Sequence, residues 1–168
     1  MSASLYDVSV PLYAHFLKSL AGILDKAAAH AEAKKIKPEA LLTARLYPDM
    51  WPLAEQVRAT CNHATRGPAR VTGIPIPEFD GKDASFSELK ARIDWTLGFL
   101  KGLKPEQFEE GRERQLSIPL GDQTLKTTGE RYLLYFSIPN FYFHATTAYD
   151  ILRHNGVPLS KTDLVPIS

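Results

Sequence analysis

Five histidines are the side chains of this sequence best suited to acid–base or metal chemistry. Imidazole titrates near neutral pH, and its neutral nitrogen binds divalent metals. The segment 131–156 reads as one apolar helix, and at about 100° per residue His144 lies roughly 60° from the centre of its apolar face. We expect a buried or half-buried His144. It serves either the core, bonded to a tyrosine, threonine or backbone group, or a site as metal ligand or general acid/base.

The other histidines have weaker signals. His63 falls near the edge of the apolar face of a second predicted helix, where it could reach a site. His15 and His30 are expected on a solvated flank of the first helix. His154 lies in a last helical turn, where it favours the helix dipole and can bond terminal carbonyls.

Other candidates for chemistry have simpler structural explanations. The single cysteine, Cys61, lies on an apolar helix side and is expected to behave as a small hydrophobe with a raised pKa. Asp49 suits a helix cap, and Asp150 suits a pair with Arg153 or Lys161. Glycine-rich phosphate loops, Ser-His-Asp signatures and CxxC pairs are absent from the sequence.

Composition predicts one globular domain over residues 1–168, because 44% hydrophobic content at this length supports a sizeable core. A formal charge of +1 gives no field for recruiting nucleic acid or an anionic membrane. We expect no nucleic-acid or membrane partner. One cysteine and an N-terminal stretch without a signal-peptide pattern favour a cytoplasmic protein.

Hydrophobic periodicity predicts four helices. Helix one begins at Ser9 or Asp7, and a short connector helix surrounds residues 38–42. Helix two follows a first turn at residues 48–52 and is interrupted or kinked at Gly67-Pro68, unless residues 69–71 add one more turn. Helix three begins at Ser85 or Ser87 and ends near Gly102.

Helix four begins at Thr127 or Thr128, kinks at Pro139 and stops at Asn155-Gly156. Residues 73–79 are too rich in proline for a helix and predict an extended crossover. Residues 115–128 alternate around Gly121-Asp122, as expected for a hairpin. These elements predict an all-α four-helix bundle with a small β-hairpin between helices three and four.

Helix four carries more aromatic residues than one bundle face can bury. They are Tyr132, Tyr135, Phe136, Phe141, Tyr142 and Phe143. The hairpin, a ligand pocket or a second subunit must cover the excess, and a homodimer explains it most economically. Trp95 and Phe99 lie away from the main face of helix three and form a second exposed apolar pair, unless the core or a loop covers each ring.

The phrase from Asn140 to Gly156, preceded by the Tyr47-Pro-Asp49-Met50 turn, resembles the DinB/YfiT-like superfamily of metalloenzymes, within an uncharacterised domain-of-unknown-function branch. The resemblance spans nearly the whole chain. It implies an up-down-down-up four-helix bundle that often dimerises. Some superfamily members are thiol-dependent transferases or isomerases that use a divalent metal.

The superfamily's metal site uses one histidine on helix two and two on helix four, four residues apart. The resemblance therefore points to His63 and His144 as ligands. The remaining position is Asn140 or Ala148, so Asn140 is the third candidate ligand for zinc, nickel or manganese. Two imidazoles fall short of the three protein ligands usual in catalytic zinc sites, which makes the site degenerate.

Two functions follow from these expectations. One is a small-molecule enzyme resembling the thiol-dependent transferases, with a pocket among helices one, two and four and His144 as metal ligand or general acid/base. The alternative is a non-catalytic, dimeric ligand-binding or interaction protein that lacks metal.

Overall fold

The computed structural model describes residues 4–166. Its helices are α1 (Val10–Lys34), α2 (Pro38–Leu42), α3 (Leu53–Thr72), α4 (Phe86–Lys101), α5 (Pro105–Gly111), α6 (Gly129–Tyr132), α7 (Ile138–His154) and α8 (Lys161–Leu164). Strands β1 (Gln115–Leu120) and β2 (Gln123–Thr128) form one antiparallel hairpin, and Leu133–Ser137 is a π-helical turn between α6 and α7. The predicted single domain spans residues 1–168, and its residues 1–3 and 167–168 lie outside the described residues. The N-terminal stretch predicted to have no signal-peptide pattern includes residues 1–3, which also lie outside them.

The four long helices α1, α3, α4 and α7 form a bundle. Asp25, late in α1, pairs with Lys90, early in α4, at 2.5 Å, so these two helices are antiparallel. Tyr13, early in α1, hydrogen-bonds Ser137 at the start of α7, so α1 and α7 run in the same direction.

The direction of α3 follows from its contact with the chain just before α7. Arg70 in the last turn of α3 donates a hydrogen bond to Tyr132, so α3 and α7 are antiparallel. With α1 and α7 up and α3 and α4 down, the order is up-down-down-up. The fold expected from the sequence is confirmed.

Burial of one apolar stripe on each long helix makes the core. The fully buried face of α1 repeats at three- and four-residue intervals and comprises Tyr13, Leu17, Leu20, Ile23, Leu24 and Ala27. Each buried side chain of Leu or Ile size contributes about 1.5–3 kcal/mol through removal of apolar surface from water. This stripe therefore fixes the rotation of α1 against α4 and α7.

Helix α3 continues through a proline that was expected to end or kink it. It runs to Thr72 with Pro68 inside it, so the alternative of one more turn is correct. A proline removes one backbone donor and crowds the preceding turn. Pro68 and its neighbour Gly67 are buried against the rest of the bundle, and this tertiary burial outweighs the local cost.

The start of α3 differs from the sequence expectation. Residues 48–52 form no helical turn, and Asp49 does not cap, because α3 begins at Leu53 with Pro52 as its N-cap residue. The carbonyl of Met50 accepts a hydrogen bond from Arg45, and that of Trp51 accepts one from Gln56. These side-chain bonds hold the segment outside the helix.

Caps elsewhere match one of the predicted alternatives. Ser9 precedes α1, and the Ser85 hydroxyl accepts a hydrogen bond from the Glu88 amide at the start of α4. Thr128 caps α6 in the same way. The distortion expected at Pro139 is present as the π-helical turn just before it, where an extra residue per turn relieves the clash of the proline ring.

The crossover from residue 73 to 85 covers part of α4. Phe79 packs on Trp95 at 5.4 Å between ring centroids, and both Trp95 and Phe99 are half-buried. Of the alternatives left open by the sequence, loop coverage is present at Trp95 and packing against the core at Phe99. Periodicity could not show which loop lies over this face.

Within residues 4–166, no helix is both long and apolar enough to cross a membrane.

Candidate functional site

His144 is held in one tautomer by Gln56. Nδ1 of His144 lies 2.7 Å from Oε1 of Gln56, and the amide nitrogen of Gln56 donates to the carbonyl of Trp51 at 3.0 Å. That second bond assigns the amide oxygen of Gln56 to His144. Since an amide oxygen only accepts, Nδ1 must carry the proton, and Nε2 of neutral His144 keeps its lone pair.

Trp51 covers one face of this imidazole. Its ring stacks on His144 with centroids 5.4 Å apart and an angle of 11° between the planes. Trp51 itself is 50% exposed, whereas His144 is only 8% exposed. The indole therefore shields His144 while remaining open to solvent on its outer side.

His63 lies on the other side of His144. The two rings are nearly parallel, at 15°, with centroids 5.6 Å apart. Burial, the neighbouring His144 and the charges of Arg66 and Arg70 lower the pKa of His63 from 6.5 to about 4. Burial also lowers the pKa of His144. Both imidazoles are therefore neutral at neutral pH, and each can act as an acceptor.

These rings belong to a longer series of ring contacts between α3 and the chain of α6 and α7. We call this series the aromatic column; it consists of Trp51, His144, His63, Phe136 and Tyr132, with the Arg70 guanidinium over its last ring. His63 and Arg70 are seven residues apart, about two helical turns, and therefore lie on the face of α3 that packs against the antiparallel chain of α6 and α7. The column follows from that packing.

A cavity of about 250 Å³ opens beside His144. It is lined by Asp49, Met50, Trp51, Gln56, Phe143 and His144. The lining comes from α3, α7 and the segment before α3, and α1 contributes none of it. The pocket expected among helices one, two and four therefore lies further toward the surface than the sequence indicated.

Nε2 of His144 is not fully buried. It makes no hydrogen bond within residues 4–166, and no fully buried side-chain nitrogen or oxygen in that range lacks a partner. It follows that this nitrogen reaches solvent at the cavity. The site thus offers one fixed acceptor between aromatic walls.

Asn140 lies one turn before His144 on α7. Its side-chain nitrogen donates to the carbonyl of Phe136 at 2.7 Å, in the turn that contains the π-helical distortion. This bond ties the side-chain nitrogen of Asn140 to its own helix, so the amide oxygen is the atom of Asn140 that could join the two imidazoles as a ligand.

The donors near His144 do not fit a tightly bound catalytic zinc. No group of three His, Cys, Asp or Glu side chains with metal-binding proximity occurs among the described residues. Two imidazoles and a weak amide ligand fall short of the three strong protein ligands that such a centre uses. The metal-ligand role expected for His63, Asn140 and His144 stays a prediction.

The remaining candidates have structural roles or none near this cavity. Cys61 is buried, and burial raises its thiol pKa to about 12, as expected for a small hydrophobe. His15 and His154 are exposed. Asp49 lines the cavity instead of capping a helix. Asp150 makes no ion pair within residues 4–166, so the pair expected with Arg153 or Lys161 is not formed, and burial raises the pKa of Asp150.

Sequence reasoning missed Gln56 and Trp51. A glutamine in the first turn of a helix and a tryptophan before it carry no chemical signature by themselves. The spacing of seven between Gln56 and His63 was the available signal, because it places both on one face of α3.

The fold and this histidine-centred cavity define an all-α bundle with the DinB-like arrangement. Residues 5–165 match the family described as Domain of unknown function (DUF1993), and the chain belongs to that family. It is similar, with 40% sequence identity and a TM-score of 0.89, to a crystal structure of a DinB family member protein from Shewanella denitrificans at 1.83 Å resolution. That likeness covers 98% of this chain and 93% of the other. Among curated proteins there was no significant match.

Proposed function

We propose that the protein binds a small molecule in the cavity beside His144, with Nε2 of His144 as the acceptor of a hydrogen bond from the ligand. The observation that carries this proposal is the pair of hydrogen bonds at Gln56, which fixes the His144 tautomer. A histidine that served only the core would have no need of a solvent-accessible, unpaired nitrogen.

The lining defines the class of ligand. About 250 Å³ is small, and the walls are mainly Trp51, Met50 and Phe143. Such a cavity suits a compact, mainly apolar molecule carrying one hydroxyl, amide or thiol donor. Asp49 adds a carboxylate at the exposed rim, which favours a ligand without negative charge there.

Proton transfer from a thiol is a less favourable use of this histidine. A free thiol has a pKa of about 8.5, whereas burial keeps the pKa of His144 below 6.5. His144 is oriented by a neutral amide, not by a carboxylate that would stabilise the imidazolium. The arrangement therefore supports ligand binding better than general-base catalysis.

Single-tryptophan proteins provide the test. The chain has two tryptophans, so Trp95→Phe leaves Trp51, stacked on His144, as the sole indole reporter. We expect small phenols, amides or thiols to change Trp51 emission saturably and His144→Ala to abolish the change. His15→Ala, an exposed histidine, is the matched control. Saturation that persists unchanged in a folded His144→Ala protein would contradict the proposal.

A metal-dependent enzyme resembling the thiol transferases is the second candidate. The neutral imidazoles of His63 and His144, whose ring centroids are 5.6 Å apart, favour this candidate, since metals bind the unprotonated form of histidine. His63, Asn140 and His144 would be the ligands. Metal analysis of untagged protein, before and after addition of zinc, nickel or manganese, tests it. If the wild-type protein binds stoichiometric metal and the His144→Ala variant does not, the metal-dependent enzyme would replace the metal-free binding protein as the proposed function.

Self-association would cover the apolar surface around the cavity mouth. This apolar patch comprises Leu46, Met50, Trp51 and Phe143, of which Phe143 is 55% exposed. We propose a homodimer through it, because desolvating contiguous aromatic surface stabilises association. Sedimentation velocity should show a dimer that Phe143→Ser weakens and Tyr135→Ser, elsewhere on the surface, does not. A wild-type protein that stays monomeric at micromolar concentration contradicts this.

A further inference from the structure

A second cavity lies beside α3, next to the Arg70 end of the aromatic column. It has a volume of about 710 Å³ and is bounded by α3, the crossover and α4. Four arginines line it: Arg58, Arg66, Arg70 and Arg92. We call it the arginine cavity. None of its lining residues belongs to the cavity beside His144.

The spacing of the α3 residues concentrates charge on one helix face. Arg58, Asn62, Arg66 and Arg70 follow at intervals of four, so their side chains lie in one row along the cavity. Like charges four residues apart on a helix repel each other. Arg66 and Arg70 form such a pair, and an anion between them would remove the repulsion.

Two of the four guanidinium groups already have a carboxylate partner. Arg92 makes two hydrogen bonds to Asp83, at 2.7 and 2.8 Å, and is 8% exposed. Arg58 is paired with Glu55 at 3.5 Å. These contacts neutralise Arg92 and partly neutralise Arg58, so neither is the main source of positive potential in the cavity.

Arg66 and Arg70 have no carboxylate partner in the part of the chain that the structure describes. Within residues 4–166, Arg66 makes no hydrogen bond or ion pair, and Arg70 bonds only the neutral hydroxyl of Tyr132, at 2.5 Å. Glu78 supplies the lining's single carboxylate and is exposed on the crossover. The bond to Tyr132 orients the Arg70 guanidinium at little entropic cost to binding.

The wall facing these arginines is aromatic. Phe79 and Trp95 pack with centroids 5.4 Å apart, and the Arg92 guanidinium lies 4.4 Å from the centre of the Phe79 ring. This contact fixes Phe79 in place. The cavity therefore combines two unneutralised guanidinium groups with a rigid apolar surface, and Thr65 and Asn62 also line it.

We propose that the arginine cavity binds a small organic anion, whose phosphate or carboxylate group is held by Arg66 and Arg70 and whose apolar body lies against Phe79 and Trp95. Guanidinium groups bind both oxyanions through paired N–H donors, and such charge-assisted bonds are about twice as strong as neutral ones. This site is independent of the ligand proposed beside His144.

Trp95 reports on this site directly. In Trp51→Phe it is the only tryptophan, and it lines the cavity. We would titrate this variant with phenyl phosphate, benzoate, inorganic phosphate and benzyl alcohol. We expect saturable changes in emission with phenyl phosphate or benzoate, at least about tenfold weaker binding of inorganic phosphate, and no saturation with benzyl alcohol. Preference between the first two identifies a phosphate or a carboxylate as the natural group.

Arginine variants make the test specific. Arg66→Gln with Arg70→Gln should weaken binding by about tenfold or more, whereas Arg131→Gln, exposed on α6, should leave it unchanged. Calorimetry of the wild-type chain with the same anions covers the case in which Trp51→Phe does not fold. The proposal is overturned if no anion saturates at millimolar concentration, or if binding is equal in the arginine double variant and the wild type.

Discussion

Gln56 and His144, 88 residues apart in sequence, share a hydrogen bond of 2.7 Å that is buried between α3 and α7. The same glutamine holds the Trp51 carbonyl, so one side chain positions both the imidazole and the indole that covers it. The chemical state of the site is thus set by an uncharged residue.

Replacing Gln56 by glutamate should raise the pKa of His144. A carboxylate at 2.7 Å favours the imidazolium, whereas the native amide does not. We expect His144 to titrate at higher pH than in the wild type, measured by NMR of its imidazole resonances. Gln115→Glu, on an exposed strand position, is the control for added charge. An unchanged His144 titration would show that the two side chains do not form this bond in solution.

Stability should fall as the pH is lowered from about 6.5 to about 4, in part through His63. In this range the unfolded chain protonates His63, while the folded protein keeps it neutral because its pKa is depressed. The unfolded state then binds more protons, so the free energy of unfolding decreases with falling pH, by on the order of 3 kcal/mol. Above about pH 6.5 this contribution is fully present.

His63→Gln isolates that contribution from the titration of carboxyl groups. Denaturant unfolding of both proteins across this range should give a shallower pH dependence for the variant. His15→Gln, an exposed position, should keep the wild-type slope. Parallel curves for wild type and His63→Gln would mean that His63 titrates normally in the folded protein.

Gly67→Ala should destabilise the protein, although alanine favours helix. A Cβ at Gly67 would overlap the Ser137 hydroxyl, in the close approach of α3 to the π-helical turn. Overpacking of this kind costs about 1–3 kcal/mol. Gly98→Ala, in α4 with no atom within 4 Å of the added carbon, should instead gain about 0.5–1 kcal/mol. Thermal unfolding compares the two, and equal shifts would refute the predicted clash.

Ser137 links three elements through buried hydrogen bonds. Its hydroxyl lies 3.0 Å from that of Tyr13 and donates to the His63 carbonyl at 3.0 Å. Because Ser137 donates to His63, the Tyr13 hydroxyl must donate to Ser137. Ser137→Ala should therefore cost about 1–3 kcal/mol, since it leaves the Tyr13 hydroxyl unpaired.

A double-mutant cycle tests that bond. Tyr13→Phe in the Ser137→Ala background should cost much less than Tyr13→Phe alone, because the hydroxyl it removes no longer has a partner. Unfolding free energies from denaturant titrations give the coupling. Additive effects would mean that the two hydroxyls do not interact.

Local chemistry made several elements predictable from the sequence. Ser85 and Thr128 cap helices as serine and threonine do, because their hydroxyls accept orphan backbone amides. Gly121, at a φ of 58°, forms the hairpin turn that the alternating strands predicted. His144 was found from the helical period, which correctly placed it at the margin of a buried face.

Tertiary contacts decided what local rules could not. Helix α3 continues past Pro68 because the residues around the proline are buried. Side-chain hydrogen bonds to the carbonyls of Met50 and Trp51 hold residues 48–52 outside the helix. Phe79 in the crossover packs on Trp95 and covers a face of α4 whose coverage could not be predicted from periodicity.

The sequence by itself determined the four helices, the hairpin, the bundle and the likeness to the DinB superfamily, since periodicity, caps and turns act over a few residues. The tertiary structure alone decided that Gln56 sets the tautomer of His144 and that Trp51 covers it. It also decided that Arg66 and Arg70 face a cavity with no carboxylate partner among residues 4–166. Those properties depend on the register of α3 against α7 and on the path of the crossover. Both are fixed by contacts between residues far apart in the chain, which leave no local pattern.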